Sequence, residues 1–214
     1  MIYDRKPWLK SYDPDVEPEI QIPDKSLTEC FIDTFREFAD RAALHYMGMT
    51  MNFGELLEQS GRFARGLIEK GLGKGDVVTA HLPNIPLYLV AVVGSLRAGC
   101  VLSGLSPLLI PDEILYQLND CSARALVTLD ALFEARFAAV ADRTPDVRLV
   151  LVTGALDMLP GAGAGAAPKP LPGKDTLPVS FTGSIFNTSR MNFIPLLLVN
   201  VPSSEMDPGF CTEE

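Results

Sequence analysis

An α/β layer built on a largely parallel sheet, flanked by helices, is predicted by three features of this sequence. Short apolar or β-branched runs alternate with helix-length runs from Asp76 to Thr153, proline opens two of the helices, and Gly71 and Gly99 each stand between a helix and the strand that follows it. The expected order is strand 76–82, helix Pro86 to Arg97, strand 100–105, helix Pro111 to Asp120, strand 124–129, helix 131–141 and strand 147–153. With 214 residues, 47% of them hydrophobic, the chain can bury a sizeable core as one large domain or as a domain plus a tail.

Taken in order, residues 1–25 carry prolines and acids throughout and predict an extended arm. "SLTE" at Ser26–Glu29 has the form of a capping box and opens a helix that places Phe31, Phe35 and Phe38 on one side and ends near Arg41. "ALHYMGMTMNF" reads as two short strands turning at Gly48. In "FGELLEQSGRFARGLIEK", residues 53–70, the positions Phe53, Leu56, Leu57, Phe63, Ala64, Leu67 and Ile68 recur at helical spacing behind an Asn52 cap with Glu55 three residues on.

The glycines of "KGLGKGDVV", Lys70 to Val78, would suit a phosphate cradle only between a preceding strand and a following helix. The order here is helix, glycine, strand. Gly71 therefore reads as a left-handed helix end, and Gly73 and Gly75 as a tight turn. The helix after Pro86 is apolar almost all round, as expected of one covered on both sides. Residues 85–111 contain one charge, Arg97, near the middle, where a lipid environment would cost about 3 kcal/mol on insertion scales. A buried helix followed by a buried strand fits this run better than a membrane span.

Order is expected to stop at "PGAGAGAAPKPLPG", residues 160–173, which is Gly, Ala or Pro at twelve of fourteen positions. Residues 26–159 thus form the α/β unit, 160–178 a linker and 179–214 a divergent, irregular tail. The last 36 residues hold five serines and no alanine, against seven and nineteen in the preceding 178, and this change places the last boundary.

The net charge of −9 argues against nucleic acid and against electrostatic attachment to anionic lipid. Four dispersed cysteines, Cys30, Cys100, Cys121 and Cys211, form no C-x-x-C pair, which fits reduced thiols in the cytoplasm. The first 26 residues lack the apolar centre of a signal peptide.

No G-x-S-x-G elbow occurs, and a nucleophilic site would have to use His45 or His81, neither of which is accompanied by nucleophile or metal-ligand spacing. Both read as structural histidines. "PLPGKDT" approaches a Walker loop at Gly173-Lys174, but Asp175 follows the lysine and Pro168 stands at the upstream glycine position. The pairs Asp13/Asp15, Glu17/Glu19 and Asp112/Glu113 read as solvated arm residues and a helix N-terminus. From the residues alone, no catalytic, cofactor-binding or metal-ligating position is assigned.

The stretch from Met51 to Asp130, with "FGEL", "GLGKGDVV", "LPNIPLY", "LRAGCV" and "SPLLIPDEILYQLNDCSARALVT", closely resembles the N-terminal part of AMP-forming acyl-CoA synthetases of the adenylate-forming ligase superfamily. The last piece resembles the long-chain fatty acyl-CoA synthetase branch, with Ser106 where that branch commonly has asparagine before Pro107. The resemblance covers about residues 8–178. It implies a partial N-terminal domain of the adenylate-forming ligase fold and a two-step reaction. A fatty acid carboxylate attacks the α-phosphate of Mg-ATP to give acyl-adenylate and pyrophosphate, and the thiol of coenzyme A then displaces AMP.

The family's phosphate loop, a Thr/Ser/Gly run leading to Pro-Lys-Gly, has no counterpart. Phe181-Thr182-Gly183 matches its opening, but Ile185, Phe186 and Asn187 break it. No family catalytic residue is carried over. The resemblance implies ATP, Mg²⁺ and coenzyme A for the full-length family and no cofactor for this chain alone.

The expectation is an inactive N-terminal fragment of an ATP-dependent fatty acid–CoA ligase, from a truncated or frame-shifted gene whose codons after about Leu177 are out of frame. A clean gene sequence with the same tail in related strains would sink that account. The alternative is a non-catalytic interaction module that pairs with a partner or a full-length homologue through an exposed apolar sheet face, a face that also predicts self-association. A self-sufficient nucleotide-binding domain is a third reading, which predicts saturable ATP binding. The expected location is cytoplasmic, with peripheral membrane association as in fatty acyl-CoA synthetases.

Overall fold

A computed structural model describes residues 5–159 and 168–179. Two short strands, β1 (Ala42–Tyr46) and β2 (Met49–Asn52), form an antiparallel hairpin, and five further strands form one parallel sheet in the order β4-β3-β5-β6-β7. The sheet strands are β3 (Val77–His81), β4 (Val101–Gly104), β5 (Ala123–Leu129), β6 (Leu149–Thr153) and β7 (Asp175–Pro178). The helices are α1 (Leu27–Glu37), α2 (Phe53–Glu69), α3 (Pro86–Arg97), α4 (Pro111–Asp120) and α5 (Asp130–Ala135). In the arm, Pro7–Ser11 form a short 3₁₀ turn.

Local chemistry places most boundaries. Ser26 and Asn52 each accept the backbone N–H three residues on, while Glu29 and Glu55 reach back to the cap N–H, so both capping boxes are complete. Met47 and Gly48, both at positive φ (46° and 84°), make the hairpin turn. Gly71 (φ 77°) ends α2, and Gly75 (φ 87°) turns the chain into β3.

The helix expected to end near Arg41 stops at Glu37. Phe38 leaves the helix and lies under the Arg41 guanidinium, 4.8 Å from its ring centroid.

Each central strand alternates between two cores. Val78, Val127, Leu149 and Leu151 face α1, α2, α3 and the hairpin, whereas Leu126, Val150 and Val152 face α4, α5 and the segment after it. Both sheet faces are therefore covered, and the apolar face expected to be bare does not occur among the described residues. Exposed apolar side chains collect instead at the β4 edge and the turn and helix beyond it: Val101, Leu108, Ile110 and Tyr116. Along α3, Leu87, Val90, Ala91 and Val93 are buried while Leu89 is 40% exposed, so this helix is covered on most of its surface rather than all round.

The tightest helix contact joins α2 and α3. A Cβ on Gly94 would lie 2.7 Å from Phe63 Cδ1 and 2.9 Å from the Ser60 carbonyl oxygen, so only glycine lets the two helices approach this closely. Arg97, the lone charge of the apolar run, ends α3 with its guanidinium bonded to the Leu57 carbonyl and, at 2.9 Å, to Ser60 Oγ.

Two expectations need correction. The helix predicted over 131–141 breaks at Arg136 (φ −130°, ψ −63°) into α5 and two 3₁₀ turns, Phe137–Ala139 and Ala141–Arg143. Its apolar positions Phe133, Phe137, Val140 and Ala141 are all buried in the second core, and that burial is reached on a kinked path rather than along one straight helix. The segment 160–178, predicted as a linker, ends in an ordered strand. β7 pairs in parallel with β6 through Leu149/Asp175, Val150/Thr176, Leu151/Leu177 and Val152/Pro178, and tertiary pairing here overrides a proline-rich composition.

Candidate functional site

Open parallel sheets bind ligands beyond the carboxyl ends of their strands, where the direction of strand addition reverses. Here the chain leaves β3 for β4 through α3 on one face. It then returns through α4 on the other face to β5 on the far side of β3. The reversal falls between β3 and β5, and the residues at their carboxyl ends are His81 and Thr128, partners in the parallel register.

Both side chains are fully buried, and His81 Nδ1 lies 3.2 Å from Thr128 Oγ1. Burial lowers the His81 pKa to about 4, the nearby Arg136 charge adds to this, and the Ser106 backbone opposes it. The imidazole is therefore neutral at physiological pH. Its Nε2 has no hydrogen-bond partner among the described residues.

The loop after β4 is pinned beside this pair. The Leu105 N–H donates to the Ala80 carbonyl at 2.9 Å, and Gln117 Nε2 of α4 donates to Ser103 Oγ and to the Gly104 carbonyl. A Cβ at Gly104 would sit 3.3 Å from the Tyr88 hydroxyl of α3, so α3, β4 and α4 converge at this corner. At the end of β6, the Gly154 N–H donates to Asp157, and the Tyr46 hydroxyl of the hairpin donates to the Ala155 carbonyl at 3.1 Å.

This arrangement holds loops in place. His81 and Thr128 are out of contact with solvent, and no described His, Cys, Asp or Glu residues gather as a metal site. His81 differs in one respect from the satisfied structural histidine expected of it: one nitrogen is left over. Nothing in the sequence around it signals this, because the partner and the covering loop come from β5 and from beyond β4.

The other residues weighed from sequence lie apart. His45 pairs across the hairpin with Thr50 through Nδ1 at 2.8 Å. Glu113 receives the Ile110 N–H, and Asp112 pairs with Arg143, so both serve the start of α4. Glu19 pairs with Lys6, while Asp13, Asp15 and Glu17 are exposed. Lys174 of the near-Walker stretch donates to the Thr144 and Val147 carbonyls at 2.6 and 2.8 Å. Phe181-Thr182-Gly183 falls outside the described residues.

The family described as AMP-binding enzyme matches residues 31–184. The chain belongs to this AMP-binding enzyme family. Among curated relatives, the long-chain-fatty-acid–CoA ligase of Bacillus subtilis (strain 168) is 34% identical over 157 residues, covering 73% of this chain and 28% of that protein. The long-chain-fatty-acid–CoA ligase of Escherichia coli O6:H1 is 36% identical over 207 residues, covering 91% of this chain and 36% of its own length.

Among solved structures, a benzoate CoA ligase from Burkholderia xenovorans LB400 superposes with a TM-score of 0.55 at 24% identity, over 60% of this chain and 26% of that one. The fold is thus that of adenylate-forming ligases. This AMP-binding enzyme chain spans about a third of the length of the curated relatives it matches. The resemblance to the fatty acyl-CoA synthetase branch is borne out. No described helix is long and apolar enough to cross a membrane.

Proposed function

We propose that the chain is the scaffold portion of a ligase that activates a fatty acid with ATP as its acyl-adenylate and passes the acyl group to coenzyme A. The observation that supports this is the run of long-chain-fatty-acid–CoA ligases at 34–39% identity over most of this chain. The family's ATP and Mg²⁺ site at the strand carboxyl ends is not supplied by the described residues. No strand–glycine–helix phosphate loop and no carboxylate cluster for a metal is present among them, and Pro-Lys-Gly occurs nowhere in the sequence. The role of this chain is then to hold the pinned loops at the strand carboxyl ends against a catalytic remainder, and by itself it is inactive. Cytoplasmic action follows from the same reading.

The test is ATP–pyrophosphate exchange with long-chain fatty acids, measured on the 214-residue chain and on a chimera completed with the remainder of the Escherichia coli relative. The expected result is exchange in the chimera alone. A folded chimera without exchange would overturn the proposal.

A second reading, a stand-alone interaction module, is favoured by one observation: the chain's own helices cover both sheet faces. It requires the isolated chain to stay monodisperse in light scattering at all concentrations, whereas a scaffold severed from its neighbours self-associates as its concentration rises.

A further inference from the structure

Two lysine–glycine stretches that the sequence reading assigned to no ligand, Lys70-Gly71 and Gly173-Lys174, lie far apart in sequence and line one cleft. It opens at the amino ends of the strands, opposite the His81–Thr128 corner, and has a volume of about 490 Å³. Its cations are Lys70, Arg124, Arg148 and Lys174, and its anions are Asp76 and Asp175. Four positive and two negative charges leave the lining at +2 in a chain of net charge −9.

The backbone sets these charges side by side. The Arg148 N–H donates to the Arg124 carbonyl at 2.9 Å, and the Asp175 N–H donates to the Arg148 carbonyl at 2.8 Å. Arg124, Arg148 and Lys174 therefore stand at the starts of three adjacent strands, where like charges repel unless an anion separates them. Two cations are partly neutralised: Lys70 pairs with Asp175 at 2.8 Å, and Arg124 lies 3.5 Å from Asp146 and 3.9 Å from Asp76.

The other two have no ion pair among the described residues, although the Asp142 charge acts on Lys174 from beyond ion-pair range. The exposed Arg148 side chain makes no ion pair or hydrogen bond among the described residues. Lys174 forms no ion pair among them; its ammonium is fixed by two carbonyls and keeps one N–H free. Gly71 (φ 77°) and Gly173 (φ 70°) form open walls, where an added Cβ would meet nothing within 4 Å.

We propose that this cleft is a binding site for a small diphosphate anion, held by Arg148 and Lys174 and flanked by Lys70 and Arg124. A guanidinium fork beside a fixed ammonium suits two linked phosphoryl groups better than a single carboxylate, and the volume accepts either inorganic pyrophosphate or the diphosphate of a nucleotide.

The test is calorimetric titration of the full 214-residue chain with inorganic pyrophosphate and, separately, with ADP, at low and at physiological salt. Saturable binding that weakens with salt is expected, with at least a tenfold loss in Arg148→Gln and in Lys70→Gln. Arg62→Gln, an equal charge change on the outer face of α2, should leave affinity unchanged. Tighter binding of pyrophosphate assigns the free anion, and tighter binding of ADP assigns a nucleotide. No saturation with either probe, or an equal loss in Arg62→Gln, overturns the proposal.

Discussion

The two ends of one parallel sheet have been given opposite electrostatics. At the carboxyl ends, His81, Thr128 and Thr153 are buried, and the imidazole is held neutral. At the amino ends, Lys70, Arg124 and Asp175 keep 39%, 35% and 60% of their side chains exposed, and cations outnumber anions. In an α/β layer the helices run antiparallel to the strands, so helix carboxyl ends, which carry partial negative charge, gather at the strand amino ends and favour basic side chains there. The carboxyl ends are roofed by the loops entering α3 and α4. The difference shows that a polar group can be retained for two reasons: as one element of a closed corner, or as one charge in an open field.

The sharpest way to break the closed corner is Thr128→Val. This leaves both nitrogens of the buried His81 without a partner and should cost about 2 kcal/mol in urea denaturation. The double variant His81→Leu/Thr128→Val should recover most of that loss, and a single variant as stable as the parent would show that the hydrogen bond contributes nothing.

A comparable effect is expected from pH. The folded-state pKa of His81, about 4, is depressed from 6.5, so its contribution is fully present above about pH 6.5 and is lost as pH falls toward 4. The loss is on the order of 3 kcal/mol, and His81→Leu should flatten the stability profile across that window.

At the open end the effects should be smaller. Lys174→Met strands the Thr144 and Val147 carbonyls and should cost about 1 kcal/mol by thermal melting. Lys70→Gln breaks an exposed pair and should cost about 0.5 kcal/mol. Arg148→Gln should leave stability within about 0.5 kcal/mol, because its side chain holds nothing in the fold. A larger loss there would mean that the open end, too, is structural.

Much of the scaffold was legible because its signals are local. The capping boxes at Ser26 and Asn52, the prolines opening α3 and α4, and the glycines at 48, 71 and 75 act within a few residues, and helices Pro86–Arg97 and Pro111–Asp120 match the sequence reading residue for residue. The helix predicted over 131–141 kept its apolar spacing but not its backbone, since spacing records which residues are buried and not the path that buries them. β7 was missed because its four residues carry a proline and sit beside a Gly/Ala/Pro run; only pairing with β6 makes them a strand.

The site was far less legible. His81 could be read as structural, but its leftover nitrogen depends on a threonine 47 residues away and on a loop beyond β4. By itself, then, the sequence determined the alternation of elements, their caps and turns, and membership of the AMP-binding enzyme family, because these rest on neighbouring residues and ordered motifs. The tertiary structure alone decided which end of the sheet is closed and which is charged. Burial and ion pairing there join residues as distant as Lys70 and Asp175, which are 105 positions apart, and such contacts exist only once the strands have been brought side by side.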